Sequence, residues 1–204
     1  MADNLDSTRL GHRNAILGKS ASASERRRQA LGAQAANALT IARFGLGGAW
    51  IALYIAAHGA RMAFAAIAVA AATSDFLDGR VARRFGIGAG AGRWLDPAAD
   101  VTFVLAALGC AAAAGAIPIY IPILIAVSFA QYAIDSRLLH RTGGPVRSRL
   151  GHYGGVVNYG LVLVLAFAPP GSIASRAIRE SAPALAIFYI AAIAERALEY
   201  RPRA

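Results

Sequence analysis

Residues 95–114 read LDPAADVTFVLAALGCAAAA. From Val101 onward the run holds no charged residue. Its length is close to the ~20 mostly apolar residues a helix needs to cross roughly 30 Å of hydrocarbon at ~1.5 Å per residue. Five further stretches have the same character: Leu39–Ala57, Met62–Phe76, Ala116–Ile134, Val156–Pro169 and Ala182–Leu198. None shows the alternation of about ten residues that a lipid-facing strand requires. Small residues such as Ala70, Ala71, Ala72 and Gly109 let helix backbones approach closely. These features predict an all-α integral membrane protein built as a bundle of six transmembrane helices.

Composition agrees. The 204 residues are 57% apolar and only 16% charged, with a mean hydropathy of +0.48, where soluble domains carry about 25% charged residues. Such hydrophobicity excludes a disordered chain, and a single cysteine, Cys110, excludes a disulfide scaffold. A formal charge of +10 would suit a nucleic-acid partner, but aromatic residues are few and the arginines lie between the apolar blocks. The expected surroundings are a lipid bilayer, with no nucleic acid. Of the 21 Lys and Arg, 17 fall before the first stretch, after the second and fourth, and at the C-terminal end. Six spans put all of these on one side, which the positive-inside rule makes cytoplasmic. Both termini then face the cytoplasm, and the chain is integral to the cytoplasmic (inner) membrane.

Residues 1–23 are polar and Ser-rich, without an apolar core of signal-peptide type, and read as a flexible cytoplasmic tail. Residues 24–36 contain Arg26, Arg27 and Arg28 and predict a short basic juxtamembrane helix whose arginines meet anionic head groups. The same charges also read simply as a topology signal. Residues 37–204 form the six-helix domain.

Only 11 acidic residues are present, and four lie between positions 75 and 100 in an otherwise apolar region. Asp75 and Asp78 are three apart, and Asp96 and Asp100 four apart, so each pair shares a helix face. Carboxylates at membrane depth cost roughly 2.5 kcal/mol or more each, so positive charge must sit among them. Four oxygen donors suit a hard divalent cation, Mg²⁺ or Mn²⁺, and the absence of His or Cys from the cluster disfavours zinc. Two such ions roughly 3.5–4 Å apart would clamp a phosphoryl group. The intervening segment is rich in Gly, Ala and Arg, which admit a bulky ligand and hold phosphate oxygens. The structural alternative is a carboxylate–arginine network that holds the bundle together.

The spacing Asp75-x2-Asp78-Gly79-x2-Ala82-Arg83-x8-Gly92-x3-Asp96-x3-Asp100 resembles the signature of the CDP-alcohol phosphatidyltransferases at all eight fixed positions. Asn37-x2-Thr40-x2-Arg43 is similar to the motif that opens the first span in many members. Ala36 stands where many have Pro, and Ala89 where some offer a hydroxyl to the nucleotide. The resemblance covers most of residues 25–200. It implies transfer of a phosphatidyl group from a CDP-linked lipid, commonly CDP-diacylglycerol, to an alcohol with release of CMP. It also implies two divalent cations on Asp75, Asp78, Asp96 and Asp100, with Asp100 as the general base. Gly79, Ala82, Arg83 and Gly92, with Asn37 and Thr40 from the first span, would surround the nucleotide, and the protein would be a homodimer.

The acceptor is less sharply marked. Arg137, Arg141, Arg147 and Arg149 lie on the carboxylates' side and would suit a phosphorylated alcohol; they also read as charges for lipid head groups. Glycerol 3-phosphate is the leading acceptor because the Asn37–Arg43 motif resembles those members best. Inositol phosphate, phosphatidylglycerol (giving cardiolipin) and serine are the alternatives. Ser128, Gln131, Asn158 and Tyr159 either line an acceptor pocket or bond helix to helix. Arg43 is expected to meet a carboxylate or a substrate phosphate, and Glu195 and Arg196 to snorkel to the interface. A transporter or other non-catalytic ion-binding bundle is the reading from another class, against which stands the lack of repeated halves.

Overall fold

The computed structural model describes residues 3–56, 60–84, 95–138, 149–168 and 171–199. Among them are six helices and no strand: α1 (Asp3–Ala56), α2 (Arg61–Arg84), α3 (Leu95–Ala113), α4 (Tyr120–Leu138), α5 (Arg149–Phe167) and α6 (Ile173–Glu199). Each apolar stretch of the sequence falls mainly on one helix. α1 continues unbroken through residues 24–36, so no interruption of the helix separates that basic segment from the first apolar stretch.

Three helices are long and apolar enough to cross a membrane, over Ala30–Ala56, Leu95–Ala113 and Ile173–Leu198; Tyr120–Ile134 and Tyr153–Phe167 are apolar but shorter. Among the described residues, three of the six expected spans are thus met by length and composition. Among the same residues α2 is in neither group, and Asp75, Asp78, Arg80, Arg83 and Arg84 lie in its C-terminal part.

Helix ends follow local chemistry. α3 stops where Gly115 adopts φ +72°, a conformation that disfavours side chains. The Ala116 amide then bonds the Ala111 carbonyl and the Gly115 amide the Ala112 carbonyl, each at 2.9 Å, the pairing of a Schellman cap. Ser172 caps α6, its hydroxyl accepting the Ser175 amide at 3.2 Å.

α1 packs on α2 and α3, α2 on α5, α3 on α4 and α5, and α4 and α5 on α6. The interior is built largely from small residues, with Ala65, Ala68, Ala71, Ala99, Ala107, Ala182 and Ala192 all buried. Large apolar side chains such as Ile41, Ile55, Val127, Val156 and Ile187 point outward. A soluble protein rarely exposes that much apolar surface, whereas a bundle in lipid puts small residues between its helices. A Cβ added to Gly47 would already lie 3.5 Å from the Phe103 Cα, so α1 and α3 nearly touch there. Trp50, Phe64, Phe103 and Tyr159 link α1, α2, α3 and α5 through ring contacts with centroids 4.9–6.0 Å apart.

Candidate active site

The close approach of α1 to α2 and α3 lets short polar side chains meet between them. Thr40 and Arg43 stand three apart on α1, one turn before Gly47, and both are completely buried. Asp96 and Asp100 share a face of α3's first turns, and Ser74 and Asp75 come from α2. The Thr40 hydroxyl donates to Asp96 Oδ1. One guanidinium nitrogen of Arg43 donates to Asp100 Oδ1 at 2.5 Å, and Nε donates to the Ser74 hydroxyl at 3.3 Å. A third nitrogen lies 3.8 Å from Asp75 Oδ1. Ser74 in turn donates to the Ala71 carbonyl at 2.8 Å, so it is held by its own helix. From α5, the Tyr159 hydroxyl donates to the same Asp100 oxygen that Arg43 holds, at 2.9 Å.

Arg43 thus answers the question of charge compensation among the carboxylates. Its own side chain is fully buried, while those of Asp75 and Asp100 are 49% and 31% exposed. A guanidinium with no solvent access needs such partners, and carboxylates that keep solvent on one side remain open to a ligand arriving there.

Thr40, Asp75, Asp96 and Asp100 are therefore gathered in one place. Asn37 lies one turn before Thr40 on α1 and is exposed. Asp78, Gly79, Ala82 and Arg83 follow Asp75 along α2, Arg137 lies on α4 and Arg149 opens α5, and the side chains of these six are outside the described set. Gly92, Arg141 and Arg147 lie outside the described residues altogether.

The three carboxylates offer oxygen donors from α2 and α3, which is the chemistry a hard divalent cation takes. Among the described residues no three carboxylate, His or Cys side chains stand close enough to share an ion. Asp78, the fourth carboxylate of the sequence pattern, is not among those described side chains.

Sequence reasoning anticipated a partner for Arg43, and the structure supplies two carboxylates. It left Tyr159 undecided between a pocket and a helix-to-helix bond; the bond is found, and its acceptor is a site residue. Ser74 was not singled out, and its only signal is adjacency to Asp75. Asn158 and Gln131, left open in the same way, also bond helix to helix: Tyr189 donates to Asn158, and the Gln131 amide to the Ile193 carbonyl at 3.1 Å. Arg196 does not snorkel. It is 7% exposed, donates to the Ser128 carbonyl at 3.0 Å and lies 5.2 Å over the Tyr132 ring. α4 packs on α6 at that level, so the guanidinium finds a carbonyl and a ring there in place of the interface.

The family model described as CDP-alcohol phosphatidyltransferase matches residues 33–194, a range that contains every residue of this cluster. No curated protein matches the chain.

Proposed function

The chain belongs to the CDP-alcohol phosphatidyltransferase family, and from that premise we propose that it transfers the phosphatidyl group of CDP-diacylglycerol to glycerol 3-phosphate, releasing CMP. The observation that carries the reading is the contact of the α1 motif with the carboxylates: Thr40 on Asp96 and Arg43 on Asp100 and Asp75. Two segments more than 50 residues apart in sequence, each resembling a family motif, form one cluster.

Asp75, Asp78, Asp96 and Asp100 would hold two divalent cations, Mg²⁺ or Mn²⁺. Bound there, such ions polarise the phosphorus and neutralise the departing phosphate. Asp100 takes the proton of the acceptor hydroxyl as its oxygen bonds to the phosphatidyl phosphorus. The bond from that phosphorus to the CMP oxygen breaks, and CMP leaves with the electron pair. Tyr159 and Arg43 fix the orientation of Asp100 through one oxygen. Asn37, Thr40, Gly79, Ala82, Arg83 and Gly92 are assigned to the nucleotide. Arg137, Arg141, Arg147 and Arg149 are assigned to the acceptor phosphate, which a planar guanidinium binds in a bidentate fashion. The distribution of Lys and Arg along the chain supports a cytoplasmic site in the inner membrane.

The test is CMP release by purified protein in detergent with CDP-diacylglycerol, Mg²⁺ or Mn²⁺ and a panel of acceptors. Glycerol 3-phosphate should support release, and Asp100→Asn should abolish it. Release with inositol phosphate, phosphatidylglycerol or serine instead would reassign the acceptor while keeping the chemistry. The mass of the same preparation reports whether the chain forms a homodimer.

A further inference from the structure

At the opposite end of the bundle from the carboxylates lies a cavity of about 320 Å³ between α1, α2, α3 and α5. That volume is inside the range of about 300–1,000 Å³ of small-molecule sites. Its floor is apolar and buried, formed by Trp50, Leu108 and Val162. Its rim carries the exposed Arg61 and the Tyr54 ring. Trp50 stands seven residues beyond Arg43 on α1, and Ala107 seven beyond Asp100 on α3, so the floor is about 10 Å from the carboxylates at 1.5 Å per residue. The cavity is therefore separate from the candidate active site and nearer the other membrane surface.

We propose that this cavity binds one anionic glycerophospholipid, its acyl chain on the Trp50, Leu108 and Val162 floor and its phosphate on Arg61. Three observations select that occupant. Apolar walls give water too few hydrogen-bond partners to fill the space. The helices around it include two long and apolar enough to span a bilayer, so hydrocarbon chains are the abundant apolar solute at that depth. Among the described residues the one cation lining the cavity, Arg61, stands at its rim beside a tyrosine, the pairing found where chains meet head groups. A guanidinium there favours a phosphate bearing net negative charge over a zwitterion. The inference does not depend on the proposed transfer reaction.

Native mass spectrometry of the full chain tests it, after equilibration with equal amounts of phosphatidylglycerol and phosphatidylcholine of matched chain length. The wild type should retain one phosphatidylglycerol that Arg61→Gln loses, with the anionic preference falling about fivefold, the factor one arginine near a head group contributes. Ala111→Phe, which fills the cavity, should lose that lipid whatever its head group. Added phosphatidylglycerol should raise the unfolding temperature of the wild type and not that of Arg61→Gln. Equal retention and equal preference in wild type and Arg61→Gln would overturn the assignment, and because Arg61 is exposed that variant is expected to fold. A wild-type dimer that Ala111→Phe converts to monomer would also overturn it, giving the cavity to a second copy.

Discussion

Replacing Arg43 by Met tests whether the guanidinium holds the carboxylate cluster together. The substitution keeps an unbranched, flexible stem and removes the guanidinium with its charge and donors. Arg43 has no solvent access, and it contacts Asp100 at 2.5 Å, Ser74 at 3.3 Å and Asp75 at 3.8 Å. Breaking a buried ion pair by removing one partner costs roughly 3–5 kcal/mol, mostly because a charge is left uncompensated. Solvent reaches 31% of the Asp100 side chain and 49% of Asp75, so screening places the loss near the lower bound, about 3 kcal/mol. For a chain of this size that is a drop of about 6–12 °C, at roughly 2–4 °C per kcal/mol. Thermal unfolding in detergent measures it, with wild type, Arg43→Met, Asp100→Asn and the double variant side by side. Neutralising Asp100 removes the charge that Arg43 compensates, so the double variant should recover at least 1 kcal/mol of the summed losses, within the range of about 0.5–3 kcal/mol for residues in contact. Strict additivity, or an Arg43→Met protein as stable as the wild type, would refute the argument that the guanidinium is there to balance carboxylates.

Three other substitutions or treatments follow from the same geometry. Tyr159→Phe removes the 2.9 Å bond to Asp100; a bond to a charged group contributes about 1.5–3 kcal/mol, so CMP release should slow at least tenfold while the protein stays folded, and an unchanged rate would detach Tyr159 from the site. Gly47→Leu forces a branched side chain against the Phe103 backbone, where a Cβ alone sits at 3.5 Å; it should cost about 1–3 kcal/mol of stability, with Gly47→Ala close to wild type in the same unfolding assay. Chelation of divalent cations should stop CMP release, and Mg²⁺ or Mn²⁺ should restore it; release that persists in excess chelator would leave the carboxylates to Arg43 alone.

Much of this arrangement was legible in the sequence because it rests on short-range rules. A stretch such as Leu95–Ala114 announces a lipid-compatible helix by its length, and Asp96 and Asp100 announce a shared face by their spacing. The four-residue step needs no tertiary information. What the sequence could not give is the third dimension. Tyr159 is 59 residues from Asp100, and nothing in the neighbourhood of either indicates that α5 brings them together. The same holds for Arg196: an arginine near the end of an apolar helix ordinarily reaches for the interface, and only the packing of α4 on α6 turns it inward. α2 joins both signals in one helix: its first part, from Met62, is the apolar stretch, and the charged residues from Asp75 onward continue it toward the site.

The packing and the site are one problem, and the small residues connect them. Thr and Ser side chains are short, so Thr40 reaches Asp96, and Ser74 reaches Arg43, only if the backbones of α1, α2 and α3 lie close together. Gly47 and the buried Ala68, Ala71 and Ala99 provide that closeness by presenting almost nothing between the helices. In a bilayer the arrangement is favourable because helices gain no hydrophobic advantage from burying large apolar groups against each other. Those groups face outward instead, where lipid covers them. A mutation at Gly47 should therefore act on catalysis through distance as well as through stability. A protein that tolerates Gly47→Leu thermally should still lose CMP release, because a misplacement of about 1 Å is enough to cost on the order of a hundredfold in rate. If such a variant stayed folded and fully active, the site would be held by Arg43 and its partners without help from the helix contact, and the small residues would serve packing alone.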